Sequence, residues 1–178
     1  MRLRSRLLLL PVAALALGSA PAPALDLQTL DEAQRKLAPG AVLRPADFRL
    51  TPEQLEQIKR EYSVPALRPA FKAWRIEGGA GGWLILDQVY GLHDIITYLL
   101  SVGDDGRVRG LEVLVCAEGW CDLYSPEWRA QLTGRTHGKW APGEAVPILS
   151  GSTLSTTHVA EGVKKLLAIH ARFLPKSP

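Results

Sequence analysis

Between residues 70 and 116, apolar and polar positions alternate with the two-residue period of an extended chain; outside that stretch the period lengthens to the three to four of a helix. The alternation predicts strands over Phe71–Ile76, Trp83–Tyr90, Asp94–Val102 and Val108–Cys116. Gly-rich turns separate them, and Gly103-Asp104-Asp105-Gly106 is a strong hairpin signal. Four consecutive strands joined this way make an antiparallel meander. Before them, Thr29-x-x-Glu32 is a capping box that opens a helix ending ahead of Pro39-Gly40. Thr51-Pro52-Glu53-Gln54 opens a second helix, with an N-cap hydroxyl, Pro at the first helical position and Gln at the third. It runs to about Tyr62 and stops before Pro65. The connectors around Pro45 and from Pro65 to Pro69 read as loosely organised. After the meander come a short helix over Pro126–Leu132 with Gly134 as its stop, a last strand over Val146–Leu149, and a final helix to about Phe173. In that last helix Val159, Val163, Leu166, Leu167 and Ile169 recur at helical spacing. The fold class is α+β: a meander sheet packed by helices, with a helical N-terminal flank.

The first residues follow a different rule. Arg2, Arg4 and Arg6 precede an uncharged apolar run from Leu7 to Leu17, and Ala22-Pro23-Ala24 is an A-x-A site. This is the layout of a secretory signal peptide cleaved after Ala24. The other reading is an uncleaved N-terminal anchor, which the short apolar run and Pro11 and Pro23 disfavour. The expected organisation is therefore a signal over 1–24, a helical flank over 25–69 and one main domain over 70–178, in the periplasm.

Charge changes the picture once the signal is set aside. Removing 24 of 178 residues, and with them three of 21 basic side chains, leaves 154 residues with 18 basic against 18 acidic. The basic balance belongs to the signal. No run of Lys and Arg interleaved with aromatics is present, so no nucleic-acid partner is expected. Cys116 and Cys121 are spaced C-x4-C around Ala117-Glu118-Gly119-Trp120. In an exported chain such a pair reads as a structural disulfide, with a redox dithiol as the alternative. No His or further Cys stands at zinc-ligand spacing, so no metal is expected. The GGAGG stretch around Gly79 precedes a strand and fits neither a dinucleotide fingerprint nor a Walker loop; it reads as a hairpin turn.

The candidate chemistry lies at the start of the final helix. Ser150-Gly151-Ser152-Thr153 ends a short apolar run, and Leu154 and Ser155 continue straight into the helical pattern. Amide groups at a helix start and the positive end of its dipole favour an anion, and Gly151 allows close approach of the backbone. Hydroxyl residues also cap helices with no ligand at all. The local pattern therefore fits either a cap or a phosphate site.

Several segments together resemble a known family. SGSTLSTTHVAEGV, from Ser150 to Val163, resembles the S/T-G-A-T/S box of the FMN-binding domain family, whose members carry the flavin covalently. YGLHDIITYLLSV resembles that family's G-K-H-x-x-I-T-Y strand, and GRVRGLEVLV its G-x-V-x-G strand. Glu118 and Gly119 stand where the family has a Glu and a Gly, and SPEWRAQLTGR resembles its P-x-W-x-x-Q-F-x-G-K segment. The landmarks follow the family's order and cover roughly half of the chain. The family includes exported subunits of sodium- and proton-translocating redox complexes and small stand-alone periplasmic flavoproteins. The resemblance implies FMN joined to Thr153 through a phosphoester, made by a separate flavin transferase with FAD as donor. It also implies a membrane-bound or periplasmic redox partner. Ser150, Gly151, Ser152, Leu154 and Ser155 would surround the phosphate, and His93, Glu118 and Trp128 are candidate flavin contacts. Two positions differ from the family: Ser152 stands where Ala is usual, and Pro147 stands where an Asp is usual, three residues before the box.

The remaining residues leave alternatives open. His93 fits a polar group beside the sheet or a pocket residue, Glu118 a flavin partner or a loop carboxylate, and Trp120 and Trp128 a ring cover or core packing. His158 falls in the first turn of the last helix, where a charged imidazole is disfavoured. His137 and His170 read as surface residues. Three functions are compatible with these residues. The first is an electron-transfer flavoprotein rather than a stand-alone enzyme. The second is a binding or assembly module of the same fold without cofactor, which Pro147 favours. The third is a reductase with non-covalent flavin.

Overall fold

The computed structural model describes residues 29–62, 68–79, 81–117, 121–138, 140 and 153–175. In chain order its elements are α1 (Leu30–Leu37), β1 (Val42–Pro45), β2 (Phe48–Arg49), α2 (Pro52–Glu61), β3 (Ala70–Glu77), β4 (Gly82–Tyr90), β5 (Ile95–Val102), β6 (Val108–Val115), a 3-10 turn (Asp122–Tyr124), α3 (Pro126–Ala130) and α4 (Thr153–Phe173). The expected meander is present as β3–β4–β5–β6, every pair antiparallel. The α+β reading therefore holds. Element ends move by a residue or two, and α3 gives way to turns after Ala130. The strand expected over Val146–Leu149 lies outside the described residues.

Both capping boxes form as read from the sequence. The Thr29 hydroxyl accepts from the Glu32 amide at 3.2 Å while the Glu32 carboxylate accepts from the Thr29 amide at 2.9 Å. Thr51 and Gln54 repeat the exchange at 3.3 and 2.9 Å. Each box satisfies two amides that the helix itself leaves without a partner. In the Gly-rich turn after β3, Gly78, Gly79, Gly81 and Gly82 all have positive φ, so the glycines are there for backbone geometry.

One segment departs from the sequence expectation. The connector around Pro45 forms two short strands, β1 and β2, which pair along the outer edge of β3. Pro45 sits at the end of a strand with no further neighbour, where a missing N–H costs nothing. These strands cover an edge that would otherwise expose its backbone.

The sheet carries a core on each face. On one face α4, α2 and α3 pack against Phe71, Ala73, Ile85, Val89, Ile96, Leu100 and Val113, with Trp128 and Leu132 inside the same cluster. On the other face α1 places Ala33 and Leu37 against Leu84, Leu99, Leu114 and Ile76. Glu112 on β6 draws α3 to the sheet edge through Arg129 at 2.6 Å, with Lys36 of α1 at 3.8 Å. Among the described residues no helix is long and apolar enough to cross a membrane.

Helix α4 lies antiparallel along β4. His158 meets the Tyr90 carbonyl, Lys165 meets Asp87, and the Pro175 carbonyl accepts from the Trp83 indole. Lys165 is 0% exposed, and its ammonium is 2.7 Å from an Asp87 carboxylate oxygen, a charge contact inside the apolar core. Tyr98 donates to the same oxygen at 2.6 Å. Removing one partner of such a pair typically costs about 3–5 kcal/mol, because the other charge stays buried alone.

Two outcomes follow from this fold. Burial, and then the adjacent Asp87 carboxylate, raise the Tyr98 phenol well above the ordinary value of 10. The unfolded chain therefore loses a proton near about pH 10 that the folded chain keeps. Stability present below that pH should fall as pH rises above it, and Tyr98→Phe should remove that part of the alkaline loss. Denaturant unfolding on either side of pH 10, read with tyrosinate absorbance, measures both. Separately, the disulfide joins Cys116 to Cys121, with Cα atoms 6.3 Å apart. It closes a short loop, so Cys116→Ser/Cys121→Ser should cost about 2 kcal/mol, or roughly 4–8 °C in Tm, by thermal melting.

Candidate functional site

The site residues are positioned by one end of the sheet. At that end β4 finishes at Tyr90 and β5 begins at Ile95, its register partner, so the hairpin between them carries Leu92 and His93 outward. Strand β6 finishes beside the start of β5, with Val115 opposite Thr97, and the disulfide follows directly at Cys116. Helix α4 arrives at the same end. His158 Nδ1 is 2.6 Å from the Tyr90 carbonyl oxygen, the geometry of a tautomer whose Nδ1–H donates to it. Thr153 is five residues earlier, so the helix projects about 7.5 Å past that contact.

The first turn of α4 suits an anion. It contains no acidic side chain, and its amide groups face out of the helix end. The Thr156 and Thr157 hydroxyls donate back to the Thr153 carbonyl at 3.0 and 2.8 Å, as hydroxyl residues in helices commonly do. Both protons are thus committed within the turn. Thr153 is exposed, Leu154 is 41% exposed, and Ser155 is buried against the protein.

Several apolar side chains are exposed at this end of the sheet. Five large hydrophobic residues are exposed among the described ones: Val42, Tyr90, Leu92, Val115 and Leu154. All but Val42 lie at this end of the sheet. Single exposed hydrophobics are ordinary, but their concentration at one end is the mark of a contact surface. Beside the β4–β5 hairpin a small cavity of about 30 Å³ is lined by Arg68, Gln88, Val89, Tyr90 and Ile95. Among the described residues no three His, Cys, Asp or Glu side chains are grouped to hold a metal.

The sequence candidates distribute as follows. Thr153, Leu154 and His93 come to the same end of the sheet. Ser150, Gly151 and Ser152, the differing Pro147, and Glu118 with Trp120 lie outside the described residues. Trp128 is 1% exposed within the main core, so neither face of its ring is open to a ligand. His137 is on the surface and shares a hydrogen bond with the Tyr62 hydroxyl at 2.8 Å. His170, read from sequence as a surface residue, is instead 1% exposed. It follows Val163, Leu166 and Leu167 at spacings of seven, four and three, which puts it on their buried stripe. That spacing was available in the sequence. The sequence reading passed over Tyr90 and Leu92 as site residues. The signal there was an apolar side chain at a hairpin, where polar residues are usual.

No model of a known protein family matches this chain, and no curated protein matches it. Among solved structures, the crystal structure of Shewanella oneidensis NqrC is similar, with a TM-score of 0.51 and 15% sequence identity. The match covers 82% of this chain and 86% of that one. At this identity the likeness establishes a shared fold.

Proposed function

We propose that this protein is a periplasmic electron carrier whose FMN is joined by a phosphoester to Thr153. The observation that carries the reading is the exposed Thr153 at an acid-free helix start, beside an exposed apolar surface at the open end of the sheet. The box from Ser150 to Thr153 and the ordered landmarks upstream supply the family resemblance. The fold shared with NqrC agrees with it. The charged start and apolar run before Ala22-Pro23-Ala24 support export.

The residues present suit the group. The first-turn amides of α4 and the helix dipole would hold the single negative charge of a phosphodiester. Tyr90, Leu92 and Leu154 offer apolar area to a flat ring, and His93 offers a polar contact at its margin. FMN, when bound, supplies one- and two-electron transfer, and the chain supplies attachment, orientation and partial exclusion of water. Attachment balances as a phosphoryl transfer from FAD. The Thr153 oxygen forms a bond to the FMN phosphorus, the P–O–P link of FAD breaks, AMP leaves, and the hydroxyl proton goes to solvent or a base. A threonine hydroxyl is a weak nucleophile, so an external flavin transferase has to activate it. A redox partner, membrane-bound or periplasmic, would exchange electrons at the exposed ring.

Pro147 in place of the family's Asp favours a second reading, a module of this fold that takes no flavin. Intact mass separates the readings. Co-expressed with a flavin transferase in a bacterial periplasm and then denatured, the wild type should keep an FMN-sized adduct and in-gel fluorescence. Thr153→Ala should lose both. An unmodified, colourless wild type assigns the cofactor-less module, and flavin that leaves on denaturation assigns non-covalent binding.

A further inference from the structure

We propose that Lys165 and Asp87, with Gly162 and Tyr98, are positioning residues that set the axial register of α4 on the sheet and thereby the place of Thr153. The functional half of this statement rests on the flavin reading above; the register half does not.

The argument begins with what apolar packing cannot do. The buried side of α4 includes Val159, Val163, Leu166, Leu167 and Ile169. A slip of one turn, about 5.4 Å, carries Val159 to the place of Val163, and Val163 to that of Leu166 or Leu167. The stripe maps nearly onto itself. Burial of apolar surface is non-directional, so it discriminates poorly between those positions.

The polar and empty positions do not map. His158, Gly162 and Lys165 share one face at spacings of four and three, turned toward β4 and β5. At Gly162 a Cβ would lie 2.3 Å from the Tyr98 hydroxyl and 2.9 Å from a Val89 methyl, so this one position is kept empty for the tyrosine. The Tyr98 hydroxyl spends its proton on Asp87, and Asp87 pairs with Lys165. One turn to either side of Lys165, the helix offers Glu161 and Gly162 or Ala168 and Ile169, and none of them carries a cation. One turn to either side of Gly162 stand His158 and Val159 or Lys165 and Leu166, and none leaves room for the hydroxyl. Any slipped register therefore buries an unmatched charge and collides with Tyr98. Specification of register is the best-attested use of a buried polar group. Thr153 stands twelve residues from Lys165, so a one-turn slip would carry it by the same one turn relative to Tyr90, Leu92 and His93.

Pulsed electron resonance on the full chain, with the native disulfide kept oxidised, tests the register. Spin labels go on cysteines introduced at two exposed positions, Leu154 and Arg107. The parent should give one narrow distance. Asp87→Leu/Lys165→Met replaces the pair by apolar side chains; it should still melt cooperatively but give a broadened or second distance, displaced by about 5 Å. Gly162→Ala should displace it as well, and Tyr98→Phe added to that variant, which removes the closest clash and leaves only the Val89 methyl under 3.0 Å, should move it back toward the parent distance. If the first variant fails to fold, the Gly162→Ala and Tyr98→Phe pair decides alone. Folded variants that keep the parent's single distance overturn the proposal. For the functional half, the visible circular dichroism of FMN attached to Thr153 should change in register-shifted variants. An unchanged spectrum there refutes that half, and a wild type that never takes flavin removes it while leaving the distance result intact.

Discussion

The Lys165 ammonium lies where no water reaches it, and much of the main core is arranged around that fact. It sits 2.7 Å from Asp87, below the ring of Phe71, whose centroid is 6.0 Å away. Tyr98 reaches across from β5 to share the same carboxylate, and Gly162 withholds a side chain so that it can. Three elements thus meet at one charge. Ion pairs of this kind are weak arguments for stability, since apolar substitutes of similar volume often do as well. They are strong arguments for uniqueness, because each wrong arrangement leaves a charge or a hydroxyl without its complement.

The two ends of α4 are held differently. Toward its C-terminus the helix is tied to α2 by the paired contacts of Arg172 with Glu61, and just beyond it the Pro175 carbonyl accepts from Trp83. The Arg172 guanidinium holds the Glu61 carboxyl below its ordinary value, so this tie persists until acid protonates the carboxylate. Toward its N-terminus His158 meets the Tyr90 carbonyl, Ser155 and Thr156 are buried, and Thr153 and Leu154 are exposed. A helix packed along its length delivers its first two residues to a defined place while leaving them exposed. Functional groups at the ends of well-packed elements are placed more accurately than groups within loops.

The sequence made local rules legible and left long-range ones hidden. The meander strands could be read because their alternation and turns are properties of neighbouring residues. The same holds for Thr29 and Thr51, whose capping partners are three residues away. β1 and β2 escaped because they are short, carry Pro45 and show no alternation; they are strands only because β3 offers an edge. Lys164 and Lys165 are adjacent and chemically identical. Yet Lys164 pairs with Glu161 and lies over Trp140, while Lys165 is in the core opposite a residue 78 positions earlier. Nothing local separates them. For the candidate site, the box and its helix were legible as pattern, whereas the clustering of Tyr90, Leu92, Val115 and Leu154 required the strand ends to be brought together.

The shape of that end bears on which chemistry suits it. A freely dissociating flavin needs a concave site, since small-molecule pockets run to about 300–1,000 Å³ and bury most of the ligand. What that end offers among the described residues is exposed apolar area, on Tyr90, Leu92, Val115 and Leu154. Such a surface gains only a few kcal/mol from covering part of a ring, at about 25 cal/mol per Å² of apolar area. A covalent tether changes the requirement. Under the proposed linkage to Thr153, the ring would stay at high effective concentration near Tyr90, Leu92 and Leu154, and weak packing would suffice to orient it. Exposed apolar area beside an exposed threonine is thus enough for the proposed carrier, because a tether removes the need for tight non-covalent binding.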